Sequence, residues 1–196
     1  MEDTAALTPM TDGDAAEREL LRRVSAGDRD AFREIYVRYH RRLARFLTRV
    51  TRGREDAEEV INDTLWIVWQ RAGDFRGASR VSTWIMGIAY RRALKIVRRA
   101  AAHARAISRE LVAPGATNGN EVEATVNRDM LDRALARLPL EQRLVLEFTY
   151  YFDHSCEEVA EIMECPVNTV KTRMFHARRK LRIILRDFDA ASESPP

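Results

Sequence analysis

The densest chemistry in this chain of 196 residues lies near its end. There Lys171, Arg173, Arg178, Arg179, Lys180, Arg182 and Arg186 follow one another with no acid among them. A face that only needs solubility mixes signs, whereas single-sign cations at this density suit a polyanion. Val170, Met174, Ala177 and Leu181 recur at steps of four, three and four, so one helical face is apolar. That phase turns Lys171, Thr172, Phe175, His176 and Arg179 outward. Lys171 and Arg179 suit phosphates or guanine edges, while Thr172 and Phe175 suit a base edge or a thymine methyl. His176 can both donate and accept a hydrogen bond, so it either reads a base or touches the backbone alone.

The element that positions this face is read from the residues just before it. Ser155 and Glu158 have the spacing of a capping box, and Val159, Ile162 and Met163 make a short apolar stripe behind it. Pro166 cannot continue that helix but suits the first turn of another. Two short-linked helices, the second basic, predict a helix-turn-helix whose second helix enters a major groove. Glu164 stands where such turns often carry glycine. The plain alternative is a helical hairpin with a solvated charged face.

Two further stretches carry binding chemistry. A helix opening after Gly53 is acidic at Glu55, Asp56, Glu58, Glu59 and Asp63. The helix dipole favours carboxylates in the first turn only, so Glu59 and Asp63 suggest a docking surface. The loop G-D-F-R-G-A-S-R then sets Phe75 among arginines and leads into a helix from Val81. Val81, Trp84, Ile85 and Ile88 give that helix one apolar face, and Tyr90, Ala93, Leu94 and Val97 another; Arg91, Lys95, Arg98 and Arg99 continue the line of the first. Stacking surfaces beside a positive groove are what a single nucleic-acid strand needs. Phe75 has a second reading, as a plug for the domain core.

The rest of the chain frames these sites. Hydrophobic residues at 45% and charged residues at 32% fit a soluble, well-cored protein, and the net charge of +3 with a pI near 9.1 fits a polyanionic partner. No run approaches ~20 apolar residues and the start lacks a signal-peptide pattern, so a cytoplasmic protein without a membrane span is expected. Cys156 and Cys165 match no zinc spacing, and no metal or cofactor is expected. No acid pair, nucleophile–histidine set or phosphate loop points to an enzyme. A first helix is predicted over 14–25, ending at Gly27. Asp28 then caps a second helix with Phe32, Ile35, Tyr36, Tyr39, Leu43, Phe46, Leu47 and Val50 on its apolar side. The expected fold is all-α. Its parts are a disordered tail (1–13), a helical bundle (14–110), a flexible linker (111–125), a unit of four short helices with the helix-turn-helix (126–188) and a disordered tail (189–196).

D-A-E-E-V-I-N-D-T-L at Asp56 to Leu65 resembles the core-polymerase-binding motif of bacterial RNA polymerase sigma factors of the extracytoplasmic-function type. F-R-G, S-T-W-I and G-I-A resemble their segment that melts and reads the −10 element. C-P-V-N-T-V-K-T-R-M-F-H-A-R-R-K-L resembles their −35-reading helix. Departures from the usual pattern occur at Glu59, Asn62, Asp63, Arg91, Asn168 and His176. The resemblance implies that Glu55, Asp56, Glu58, Glu59, Asn62 and Asp63 bind core polymerase. It implies that Phe75, Arg76, Arg80, Ser82, Thr83, Trp84, Arg91, Arg92 and Lys95 bind the −10 strand. It implies that Asn168, Thr169, Lys171, Thr172, Arg173, Phe175, His176 and Arg179 bind the −35 duplex. Implied partners are core RNA polymerase, promoter DNA and an anti-sigma factor, with the polymerase doing the chemistry. A stand-alone helix-turn-helix regulator is the rival reading, but residues 28–100 offer it no ligand pocket or dimer seam.

Overall fold

The computed structural model describes residues 12–51, 53–108 and 126–192. Within them the chain is helical, with one 3₁₀ turn and no strand. It divides into two compact units, Met1–His103 and Ala104–Pro196. The expected linker, 111–125, lies outside the described residues, as do 1–11 of the first tail.

In the first unit α1 spans Asp12–Ser25, two residues earlier than the sequence pattern suggests. It ends in a Schellman turn. The Asp28 N–H donates to the Arg23 carbonyl and the Gly27 N–H to the Val24 carbonyl, with Gly27 at φ 84°. Asp28 then accepts from the N–H groups of Asp30 and Ala31, starting α2 at Arg29–Val50. Those N–H bonds, helped by the Arg23 guanidinium, hold the Asp28 carboxyl below its ordinary value. Ala31, Ile35, Tyr39, Leu43, Phe46, Leu47 and Val50 are buried. Phe32 is only half-buried, set edge-on to Trp69, and Tyr36 lies at the surface stacked on His40. A stripe wider than the groove between neighbours spills its outer residues onto the rim.

Tyr39 is buried along its ring yet polar at its tip, and the tip is satisfied: its hydroxyl donates to Glu17 of α1 at 2.6 Å. Burial, reinforced by the Glu17 charge, raises its pKa far above the ordinary tyrosine range. α3 (Arg54–Arg71) packs against α2 with Ala57, Val60, Ile61, Thr64, Leu65 and Val68 inward. A 3₁₀ turn, Ala72–Asp74, leads towards α4, Val81–Ser108. From Val81 to Tyr90 every residue but Trp84 is buried, so the first turns of α4 are a core helix on all sides. The two apolar faces seen in the sequence are both used, since Tyr90 and Ala93 are buried as well.

The second unit is built round its last helix. α5 (Val126–Ala136), α6 (Leu140–Tyr150) and α7 (Cys156–Ile162) each pack on α8, Val167–Ser192. α8 is 26 residues long, not short, and it continues through the first half of the stretch expected as a tail, to Ser192. Leu144, Val145, Phe148, Val159, Ile162, Val170 and Ala177 form the core, each large aliphatic or aromatic side chain contributing about 1.5–3 kcal/mol on burial.

Candidate nucleic-acid interface

On α3 the buried stripe leaves a continuous outer face carrying Glu55, Glu59, Asn62, Asp63 and Trp66, all exposed. Asp56 and Glu58 sit at its edge, half-buried. Glu58 lies 3.4 Å from the His40 Nε2 of α2, and Asp63 lies 3.7 Å from Arg92 of α4. Trp66 is 58% exposed, large for an indole. The pattern reading missed it, although its phase was legible: Trp66 stands three and four residues beyond Asp63 and Asn62, on their side of the helix.

In the loop before α4 the Phe75 ring meets Trp84 at 5.6 Å between centroids, and the Arg18 guanidinium lies over the same ring, 5.6 Å from its centroid. Phe75 is half-buried, so it combines the two readings made from sequence: it seals the edge of the core and keeps part of its ring at the surface. Arg76 is exposed and Arg80 half-buried. Ser82 and Thr83 are placed differently from the other residues of this set. At 3% and 1% exposure they are buried in the first turn of α4. Trp84 keeps some surface. Arg91, Lys95, Arg98 and Arg99 are exposed, but Arg92 turns towards Asp63 and joins the acidic face to the basic one.

The helix-turn-helix follows its sequence closely. The Ser155 hydroxyl accepts from the Glu158 N–H at 3.2 Å and the Glu158 carboxylate accepts from the Ser155 N–H at 2.9 Å. The neighbouring Glu157 carboxyl is held below its ordinary value by its own backbone N–H and then by the Ser155 hydroxyl. The turn closes as a second Schellman motif, with Cys165 N–H to Ala160 carbonyl and Glu164 N–H to Glu161 carbonyl. Glu164 there has φ 51°.

On α8 Val170, Met174 and Ala177 are buried, and Asn168, Lys171, Thr172, Phe175, His176 and Arg179 are exposed. Phe175, 63% exposed, meets the His176 ring edge-on. The Thr172 hydroxyl donates to the Asn168 carbonyl at 2.8 Å, which spends its proton on the helix and leaves a lone pair and a methyl for a partner. Thr169 is half-buried. Arg173 is half-buried: it pairs with Glu141 of α6, and its Nη1 lies 3.5 Å from the Cys165 sulfur. Arg178, also cationic, is held by the Tyr150 hydroxyl and ring. Cys156 and Cys165 are half-buried free thiols, and no cluster suited to a metal occurs among the described residues.

Family models describing Sigma-70 region 2 and Sigma-70 region 4 match residues 35–103 and 128–181. The chain is 35% identical over 170 residues to the ECF RNA polymerase sigma factor SigM of Mycobacterium tuberculosis, covering 87% of this chain and 85% of that one. It belongs to the ECF sigma factors. The ECF RNA polymerase sigma-E factor of Escherichia coli is 30% identical over 179 residues, 84% of this chain and 92% of that one. CnrH, solved with the cytosolic domain of CnrY, shares the fold at TM-score 0.65 and 22% identity, over 88% of this chain and 98% of its own. RpoE of Bartonella quintana, solved with the anti-sigma factor NepR, does so at TM-score 0.65 and 21% identity, over 79% and 96%.

As a sigma factor the chain is a transcription initiation factor that binds core RNA polymerase and promoter DNA. The region 2 match takes in most of α2, all of α3, the Phe75 loop and the described side chains of α4. The region 4 match takes in the helix-turn-helix up to Leu181. α1 lies outside both. No helix among the described residues of this sigma factor is long and apolar enough to cross a membrane.

Proposed function

We propose that this sigma factor docks on core polymerase through the outer face of α3, holds the melted −10 strand with the Phe75 loop and α4, and grips the −35 duplex with α8. Residues 14–110 would be the polymerase and −10 unit and residues 126–188 the −35 unit. The observation that carries the reading is the exposed acidic face of α3, which outlasts its first turn at Glu59 and Asp63 and adds Trp66. A charged rim round one exposed aromatic is the make-up of a protein interface, not of a nucleic-acid one. The basic face of α8 is its opposite in sign and suits phosphate.

The polymerase supplies the chemistry, so the sigma factor is no enzyme itself, and it works in the cytoplasm where that polymerase works. Control by an anti-sigma factor belongs to the same proposal. Its support is that two proteins of this fold were solved with partners, one of them named an anti-sigma factor.

Reversing Glu59 and Asp63 to lysine tests the docking face. Like charges set opposite each other at an interface cost on the order of several kcal/mol, so competition for core polymerase should collapse. Thermal stability should hold, because Glu59 is exposed and the Asp63–Arg92 pair is a surface one. A double variant that competes like the wild type places the docking face elsewhere.

A further inference from the structure

Arg18 of α1 directs both terminal nitrogens of its guanidinium to the loop before α4. Its Nε donates to Asp14 at 2.9 Å, Nη1 to the Gly77 carbonyl at 3.0 Å and Nη2 to the Ser79 carbonyl at 2.9 Å. The same group lies 5.6 Å from the Phe75 ring centroid. Asp14, with a side chain only 3% exposed, fixes the fork from behind. The loop is fitted to this arginine in return. Gly77 has φ 71°, and a Cβ there would stand 2.6 Å from the Arg18 Nη1, so a side chain there strains the backbone and makes the guanidinium shift.

A trans peptide unit points its C=O and the following N–H in opposite directions. Drawing in the carbonyls of Gly77 and Ser79 therefore turns the N–H groups of Ala78 and Arg80 away from Arg18. One side chain thus sets two peptide planes and one face of Phe75.

We propose that Arg18 is a positioning residue for −10 selection, pre-forming the loop from Phe75 to Arg80 before a strand arrives. The proposal rests on the reading of that loop as part of the −10 site. A pre-formed loop loses less freedom when a strand is bound, and wrong bases cannot be met by the loop reshaping itself.

The test assembles holoenzyme from core polymerase and the full chain and selects promoters from a library randomised at both elements. Arg18→Ala and Gly77→Ala should each lower −10 selectivity roughly tenfold, equivalent to about 1.4 kcal/mol. The −35 preferences and competition for core should stay as in the wild type. The double variant should lose less than the sum of the two single losses, because both disturb the same contact. Arg18→Lys keeps the charge but has no planar fork and should behave as Arg18→Ala. An unchanged −10 profile, an equal loss at both elements, or full recovery in Arg18→Lys overturns the proposal. Gly77→Ala leaves α1 intact and keeps the test open if Arg18→Ala melts that helix. Phe75→Ala and Arg76→Ala separate the two levels. If they change the −10 profile and the Arg18 and Gly77 variants do not, only the role of Arg18 falls. If none of them changes it, the loop is not the −10 reader and the role of Arg18 falls with it.

Discussion

The outer face of α8 and the loop before α4 each set an aromatic ring among cations, but they are held in shape by different means. On α8 the phase of one helix decides everything: Val170, Met174 and Ala177 go inward, and Lys171, Phe175, His176 and Arg179 follow outward. In the loop the geometry comes from Arg18, which donates to carbonyls 59 and 61 residues further along the chain. A helix face is thus a set of nearly independent side chains on a rigid rod, while the loop is a single arrangement that stands or falls together. Changes on α8 should therefore be local in their effect on base preference, and changes that merely weaken its frame should leave preference alone.

The largest effect is expected where a side chain on that rod meets a base. His176→Arg replaces a group that donates and accepts with one that only donates. It should shift the preferred base at one −35 position by roughly 1–3 kcal/mol of discrimination, with neighbouring positions unchanged. Lys171→Ala should instead weaken all −35 sequences alike and flatten the salt dependence of binding. Selection from randomised −35 elements decides both. Identical profiles for wild type and His176→Arg would mean that His176 touches backbone alone, and a change spread over several positions would break the contrast with the loop.

The same contrast explains what could be read from the sequence. The all-α fold, the caps at Asp28 and Ser155 and the outward set on α8 depend on neighbours within about four residues, and they were legible. What was not legible depends on contacts from far away. Ser82 and Thr83 look like polar residues at the start of a basic helix, but α4 is enclosed there on all sides. Arg173 belongs by composition to the cationic face, yet Glu141 from α6 draws it aside. Arg18 sat in a helix with no evident task because its partners are backbone carbonyls, which every residue has. Trp66 could have been found from its helical phase, since it lies off the buried stripe of α3.

Ser155→Ala gives a smaller effect and probes the frame without touching the face. Losing an N-cap hydroxyl costs about 1 kcal/mol, and here the reciprocal bond from the Ser155 N–H to Glu158 survives. Affinity for −35 duplex should fall slightly while base preference stays the same. Acid should narrow the gap between variant and wild type. The Glu157 carboxyl is held below its ordinary 4.5, so the stability it adds is present above that value and is lost as pH falls through the lowered one. Part of that lowering comes from the Ser155 hydroxyl, which the variant lacks. Thermal melts from neutral pH into the acid range check the convergence, and a gap that widens in acid would refute it.

The smallest effect sets the two Schellman turns against each other. Both end a helix with a residue in the left-handed region, but α1 uses Gly27 at φ 84° and α7 uses Glu164 at φ 51°. A residue with a Cβ pays about 1–2 kcal/mol for that conformation. Glycine removes the penalty and returns about 0.4–1 kcal/mol of it through the greater freedom of the unfolded chain. Glu164→Gly should therefore stabilise the protein by on the order of 0.5–1 kcal/mol, and Glu164→Asn, which tolerates the region better than most side chains, by less. Because Glu164 is exposed and stands outside the outward set of α8, the −35 profile should not move in either variant. Urea melts of the three proteins measure the gain. A loss of stability in Glu164→Gly would show that the carboxylate, not the backbone, is what the turn requires. A changed −35 profile would show that the turn, like the Phe75 loop, shapes what its helix reads, and the contrast between the two faces would fail at that point.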